Sequence, residues 1–136
     1  MAEQPYAIEM RGITKTFGSV VANKNVDLTL KKGEILALLG ENGSGKTTLM
    51  NMLSGIYAPD KGEILVDGAP VTIASPEDAK RLGIGMVHQH FKLVEVFSAA
   101  DNIWMGRNGA GFLLGRDRYQ EVADTAKRFG FDLDPR

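Results

Sequence analysis

The sequence predicts an α/β fold: a strand–loop–helix core with a small antiparallel β-subdomain in front and the start of a helical subdomain behind. Three observations predict it. Apolar and polar residues alternate in two early stretches, Ile8–Met10 and Val26–Leu30. A run that is apolar on both faces, Ile35 to Leu39, leads through a glycine-rich loop into a helical stretch. The final third carries helix caps and helical spacing.

The elements follow in chain order. Ile8 and Met10, and then Val26, Leu28 and Leu30, read as two half-buried strands, because period two puts every apolar residue on one face. Lys31-Lys32-Gly33 is a turn. Ile35 to Leu39 is the pattern of a central strand covered on both sides. A helix runs from about Lys46 to Ser54, with Gly55 as its stop. Glu63 to Asp67 and Ala69 to Ile73 flank Asp67-Gly68, a two-residue hairpin pattern. Ser75 caps a short helix that has Pro76 in its first position and Asp78 where a capping box needs an acceptor. Ile84 to Val87 reads as a strand. Ser98 and Asp101 repeat the capping pattern at the next helix. Asn108 to Gly115 is a loop. Tyr119, Val122, Ala123, Ala126 and Phe129 recur at helical spacing over a last helix from about Arg118, which Gly130 stops. The domain boundary falls near Val96–Ser98, giving residues 1–97 as β-subdomain plus core and 98–136 as the start of the helical subdomain.

The loop carries the chemistry. Gly40-Glu41-Asn42-Gly43-Ser44-Gly45-Lys46-Thr47 satisfies G-x-x-x-x-G-K-[ST], the phosphate-binding loop of P-loop NTPases. Its glycines let the backbone curl with N–H groups pointing inward. Those groups and the positive end of the following helix cradle phosphates. Lys46 supplies a mobile cation to the β- and γ-phosphates, and the Thr47 hydroxyl can ligate Mg²⁺. Four specified positions coincide by accident in roughly one of a few hundred chains this long. Here the match also lies between a buried strand and a helix, where the mechanism requires it.

Composition excludes several classes. The chain has 136 residues, 43% hydrophobic and 24% charged, with a formal net charge of −1. That is an ordinary globular balance without the basic excess of a nucleic-acid binder. It contains no cysteine, which removes disulfides and thiolate metal sites and fits a reducing compartment. No basic segment followed by an apolar one opens the chain, so no signal peptide is expected. The longest aliphatic run, Ile35 to Leu39, is far short of the ~20 residues that cross a bilayer.

Three segments carry a family resemblance. Lys15-Thr16-Phe17-Gly18, the loop Gly40 to Thr47 with Thr48 after it, and Gly85-Met86-Val87-His88-Gln89-His90-Phe91 together resemble an ATP-binding-cassette (ABC) transporter ATPase. The last segment is most similar to ATPase subunits of bacterial importers for nucleosides and simple sugars. The likeness extends from about Ile8 to Arg136. It implies ATP and Mg²⁺ as cofactors, held by Phe17 and by Gly40, Glu41, Asn42, Gly43, Ser44, Gly45, Lys46, Thr47 and Thr48. Phe17 would stack on adenine. Gln89 would reach the Mg²⁺ or the attacking water and sense the membrane partner, so Lys46 and Gln89 are the catalytic candidates and Thr47 and Gln89 the metal candidates. The implied partners are transmembrane permease subunits and a second cassette in a head-to-tail dimer, on the cytoplasmic face of the cell membrane. His88 and His90 would point to opposite faces of a strand, which argues against a metal site.

The sequence departs from the family pattern in two places. Glu95 stands where similar sequences carry Pro, and Ser98-Ala99-Ala100-Asp101-Asn102 replaces Thr-Val-Ala-Glu-Asn, with the cap retained. The signature segment, the Walker B strand, the D-loop and the switch histidine have no counterpart in residues 1–136. Ile64-Leu65-Val66-Asp67 comes nearest to a Walker B, but Gly68 and a second alternating segment make it a hairpin. Phosphoryl transfer relies on a positioned water and metal contacts that these residues do not supply. The expected activity is therefore ATP binding without turnover by this chain alone, within an importer ATPase. The alternatives are a nucleotide-binding module that never catalyses and another P-loop enzyme such as a small kinase, which would need an acceptor site and a lid.

Overall fold

The structure, a computed structural model, describes residues 5–88, 93–105 and 116–135, with 116 and 117 described by backbone only. It divides into two compact units, Met1–Val87 and His88–Arg136.

Unit 1 is built on a four-stranded antiparallel sheet in the order β2-β1-β3-β4. The strands are β1 (Tyr6–Phe17), β2 (Val20–Lys31), β3 (Lys61–Val66) and β4 (Ala69–Val71). The helices are α1 (Lys46–Leu53) and α2 (Pro76–Arg81). Met10 lies opposite Leu28 on one side and Ile64 on the other. The alternation read from the sequence therefore becomes one apolar sheet face. That face continues through Ile13 because β1 bulges at Gly12. The register slips between Met10 and Ile13 against β2, and between Arg11 and Thr14 against β3. Gly12 has φ +60°, and its N–H donates to Asp27 Oδ1 at 2.6 Å. One extra residue returns Ile13 to the face of Met10.

Helix α1 lays Leu49, Met52 and Leu53 on this face, at the i, i+3, i+4 spacing that makes one stripe. Met10, Ile13, Ile64, Ile73 and Ala79 complete the buried cluster. Each large side chain so buried contributes roughly 1.5–3 kcal/mol. At the end of α1, the Ile56 N–H donates to Asn51 O at 2.9 Å and the Gly55 N–H to Met52 O at 3.3 Å. This is a Schellman motif with left-handed Gly55. The Asp67-Gly68 hairpin forms as expected, with φ +51° and +77°, the two positive values a type I′ turn demands. Ser75 caps α2: its Oγ accepts from the Asp78 N–H at 3.3 Å and donates to Asp78 Oδ2 at 2.8 Å.

Two expected strands are corrected. Ile35 to Leu39 and Ile84 to Val87 form no strand, and Ile35, Leu39 and Val87 are 96%, 90% and 85% exposed. Their aliphatic pattern suits pairing on both sides, but among the described residues no strand pairs with either, so neither ladder forms.

Unit 2 contains α3 (Ala99–Trp104) and α4 (Arg116–Arg128). Ser98 and Asp101 make a full capping box on α3, so the sequence departure there keeps its function as a cap. Asn102 ties down the preceding turn. Its Oδ1 accepts from the Val94 N–H at 2.9 Å, and its Nδ2 donates to Val94 O at 3.1 Å and Ser98 O at 3.1 Å. Helix α4 ends at Gly130 in a second Schellman arrangement, with the Phe131 N–H on Ala126 O at 2.9 Å. The loop read over Asn108 to Gly115 lies outside the described residues. No helix among the described residues is long and apolar enough to cross a membrane.

Candidate phosphate-binding site

The Gly40–Thr47 loop runs straight into α1, as its spacing requires. Gly43 and Gly45 have φ +84° and +88°, a region that residues bearing a Cβ rarely enter. The Ser44 N–H closes a turn on Glu41 O at 3.2 Å. Gly45 is the N-cap of α1, and no side chain caps this end. The first N–H groups of a helix have no partner within it, so this end of the eight-residue α1 presents donors and a positive dipole.

Lys46 curls over the concave side of the loop. Its Nζ donates to Gly40 O at 2.6 Å, Glu41 O at 2.7 Å and Ser44 Oγ at 3.1 Å. The ammonium is thus held among the loop's own acceptors. A Cβ on Gly40 would lie 2.8 Å from Ser44 Oγ, so a side chain there would displace the Ser44 hydroxyl. The sequence-predicted residues Gly40, Glu41, Asn42, Gly43, Ser44, Gly45, Lys46, Thr47 and Thr48 are therefore brought together as one curl on a helix N-terminus, with Thr47 exposed. The residues fit a bound triphosphate, whose Mg²⁺ would take the Thr47 hydroxyl. Among the described residues no group of three His, Cys, Asp or Glu could hold a metal ion by itself.

Phe17 ends β1 and is 41% exposed. Its ring meets Tyr57 edge-on at 5.1 Å, and Lys15 Nζ lies 5.5 Å from its centroid. Tyr57, absent from the sequence reading, joins this group because the chain leaving α1 returns to the end of β1. Asp60 fixes that return. Its carboxylate accepts from Lys15 Nζ at 2.9 Å, from Thr16 Oγ1 at 2.8 Å and from the Thr16 N–H at 2.7 Å. The bond from Lys15, followed by those from Thr16, pulls the Asp60 pKa down from 3.8 to about 2. A carboxylate depressed in the folded state adds stability above its unfolded pKa and loses it as pH falls through the folded one. Asp60→Asn is therefore expected to be less stable than the parent above pH about 4, with the difference closing toward pH about 2. Denaturant melts of both chains across that window check it, and a pH-independent difference would refute it.

Gln89, His90 and Phe91 lie outside the described residues, and His88 is exposed. Asp67 sits in its hairpin and pairs with Lys32 at 3.1 Å, so it belongs to the turn.

The sequence profile of the family described as ABC transporter matches residues 23–134. The chain belongs to the ABC transporter family. Curated relatives of this ABC transporter chain are importer ATP-binding proteins. The guanosine import ATP-binding protein NupO of Bacillus subtilis is 54% identical over 132 residues, covering 96% of this chain and 26% of that protein. The nucleoside import ATP-binding protein NupA of Lactococcus lactis is 48% identical, covering 94% and 26%. The ribose import ATP-binding protein RbsA 1 of Rubrobacter xylanophilus is 49% identical, covering 95% and 26%. The chain thus spans about a quarter of the length of these relatives. Among solved structures, an ATP-binding cassette of an ABC transporter superposes with TM-score 0.79 at 20% identity, over 96% of this chain and 57% of that one. A dimeric cassette in a post-hydrolysis state with ADP and Pi superposes with TM-score 0.69 at 27% identity, over 88% and 56%. The ABC cassette fold is therefore the α/β class expected from the sequence.

Proposed function

We propose that this chain is the ATP-binding part of an importer ATPase that couples ATP hydrolysis to solute uptake, with a nucleoside or simple sugar as solute. One observation carries the nucleotide assignment: the Lys46 ammonium is folded into a glycine-lined curl at the uncapped N-terminus of α1. Lys46 would hold the β- and γ-phosphates and the loop N–H groups their oxygens, while Phe17 would stack on adenine. Thr47, and Gln89 by family likeness, would hold Mg²⁺, which would offset the negative charge of the phosphates. The import assignment rests on relatives of 48–54% identity whose names specify guanosine or nucleoside import. Permease subunits and a second cassette arranged head to tail are the partners we assign, at the cytoplasmic face of the membrane. Residues 1–136 contain no Walker B strand, signature segment or switch histidine, so this chain alone binds ATP without hydrolysing it.

Titration calorimetry tests this with two variants and two ligands. Lys46→Ala should weaken Mg-ATP and inorganic triphosphate alike, at least about tenfold, because charge-assisted bonds contribute ~1.5–3 kcal/mol each. Phe17→Ala should weaken ATP alone, because triphosphate has no ring to stack and base stacking contributes ~1–3 kcal/mol. Equal affinity of the parent and Lys46→Ala would remove the phosphate assignment. Equal losses of both ligands in Phe17→Ala would make Phe17 a packing residue of the sheet.

A further inference from the structure

We propose that Asn23 is a positioning residue for the phosphate loop, acting through the peptide plane between Gly45 and Lys46. The inference rests on the phosphate-binding reading above and adds to it a residue on β2, remote in sequence from the loop.

Asn23 is a polar side chain on β2, only 7% exposed. Its Nδ2 donates to Gly45 O at 3.3 Å. The same carbonyl accepts the first helical bond of α1, from the Leu49 N–H at 2.9 Å. In a trans peptide the C=O and the following N–H point in opposite directions from one rigid plane. Anchoring Gly45 O toward β2 and the helix therefore turns the Lys46 N–H away from them, toward the cradle. That N–H is one of the donors a phosphate needs. The loop is also pressed against this strand: a Cβ on Gly45 would lie 2.4 Å from Ala22 O and 2.7 Å from Asn23 Nδ2. The close approach brings a strand amide within reach of the loop.

A second observation is independent of that bond. Asn23 Oδ1 is buried with no hydrogen-bond partner. Rotating the amide would satisfy nothing, because it would set Oδ1 against Gly45 O, acceptor against acceptor. A buried acceptor without a donor destabilises a fold, and an apolar side chain of similar size would avoid that cost. The stability of unit 1 therefore does not call for asparagine at this position, whereas the orientation of the loop does.

The two roles separate experimentally. Asn23→Leu removes both the donor and the orphaned acceptor at nearly constant volume. In the parent chain, Asn23→Leu and Asn23→Asp, binding of Mg-ATP and inorganic triphosphate would be measured alongside thermal unfolding without ligand and the Lys46 amide resonance. Asn23→Leu should unfold no earlier than the parent yet bind both ligands about fivefold more weakly, the net worth of one hydrogen bond. Its Lys46 amide resonance should move. Asn23→Asp, which sets a carboxylate against Gly45 O, should bind more weakly still. Should Asn23→Leu not fold, Asn23→Asp with the same readouts decides the question. Unchanged affinity in a folded variant, while Lys46→Ala loses binding, would overturn the role of Asn23 and leave the phosphate site standing. Unchanged affinity in Lys46→Ala as well would overturn both.

Discussion

Gly45→Ala is expected to cost the chain its phosphate site, with triphosphate affinity falling at least about thirtyfold as two separate penalties combine. The first is conformational. Gly45 has φ +88°, and a left-handed backbone costs a residue with a Cβ roughly 1–2 kcal/mol. The second is steric. The new methyl would sit 2.4 Å from Ala22 O, a backbone atom of a paired strand that cannot turn aside as a flexible side chain can. Overpacking of that kind costs typically 1–3 kcal/mol. The chain avoids both by turning the Gly45 backbone, and that motion swings the Gly45 carbonyl and the Lys46 N–H out of place. Gly43→Ala is the matched control. Gly43 has a similar φ of +84° but no atom within 4 Å of its would-be Cβ, so it carries the first penalty alone. Triphosphate titrations of the two variants check the reasoning. Equal losses would mean that contact with β2 does not shape the loop.

The chain is expected to self-associate rather than persist as a robust monomer. Ile35, Leu39 and Val87 lie almost fully in water at 96%, 90% and 85% exposure. Burying them would contribute about 5–9 kcal/mol together, comparable to the ~5–15 kcal/mol that separates a whole domain from its unfolded state. Aliphatic segments with unpaired backbone groups are also templates for another chain. Sedimentation should show mass rising with concentration, and hydrogen exchange should show little protection at Leu36 to Leu39. ATP would recover part of the stability, since a ligand that binds only the folded form shifts the equilibrium toward it. A sharp monomer at every concentration, with those amides protected without nucleotide, would be the contrary result.

What could be read from the sequence was local. The Asp67-Gly68 turn, the Ser98 capping box, the Ser75 cap and the glycine stops at Gly55 and Gly130 are each decided within a few residues and formed as read, except that Asp78 accepts the Ala74 N–H where a box would take that of Ser75. The phosphate-loop motif was legible too, since its fixed positions lie within eight residues, whereas its seat against β2 was not. What the sequence hid was non-local. Ile35 to Leu39 has the composition of a central strand, yet a strand exists only where something pairs with it. Ile13 escaped the period-two pattern because the bulge at Gly12 shifts the phase by one. Asn23 under Gly45 and Tyr57 beside Phe17 are contacts between elements, and no spacing along the chain announces them.

The pairing of β1 with two partners has a consequence for the order of events in folding. β1 and β2 meet across the short Gly18-Ser19 connection and can zip at once. Ile8 and Val66, by contrast, must find each other across about two thirds of unit 1, and the phosphate loop and α1 lie inside the ring they close. Closing that ring costs chain entropy before any contact repays it. On the phosphate-binding reading, a nucleotide would bind only once α1 is packed on the sheet with Ile64 of β3, after that ring has closed. It would then act as a latch, lengthening the life of the folded chain while leaving the time needed to reach it nearly unchanged.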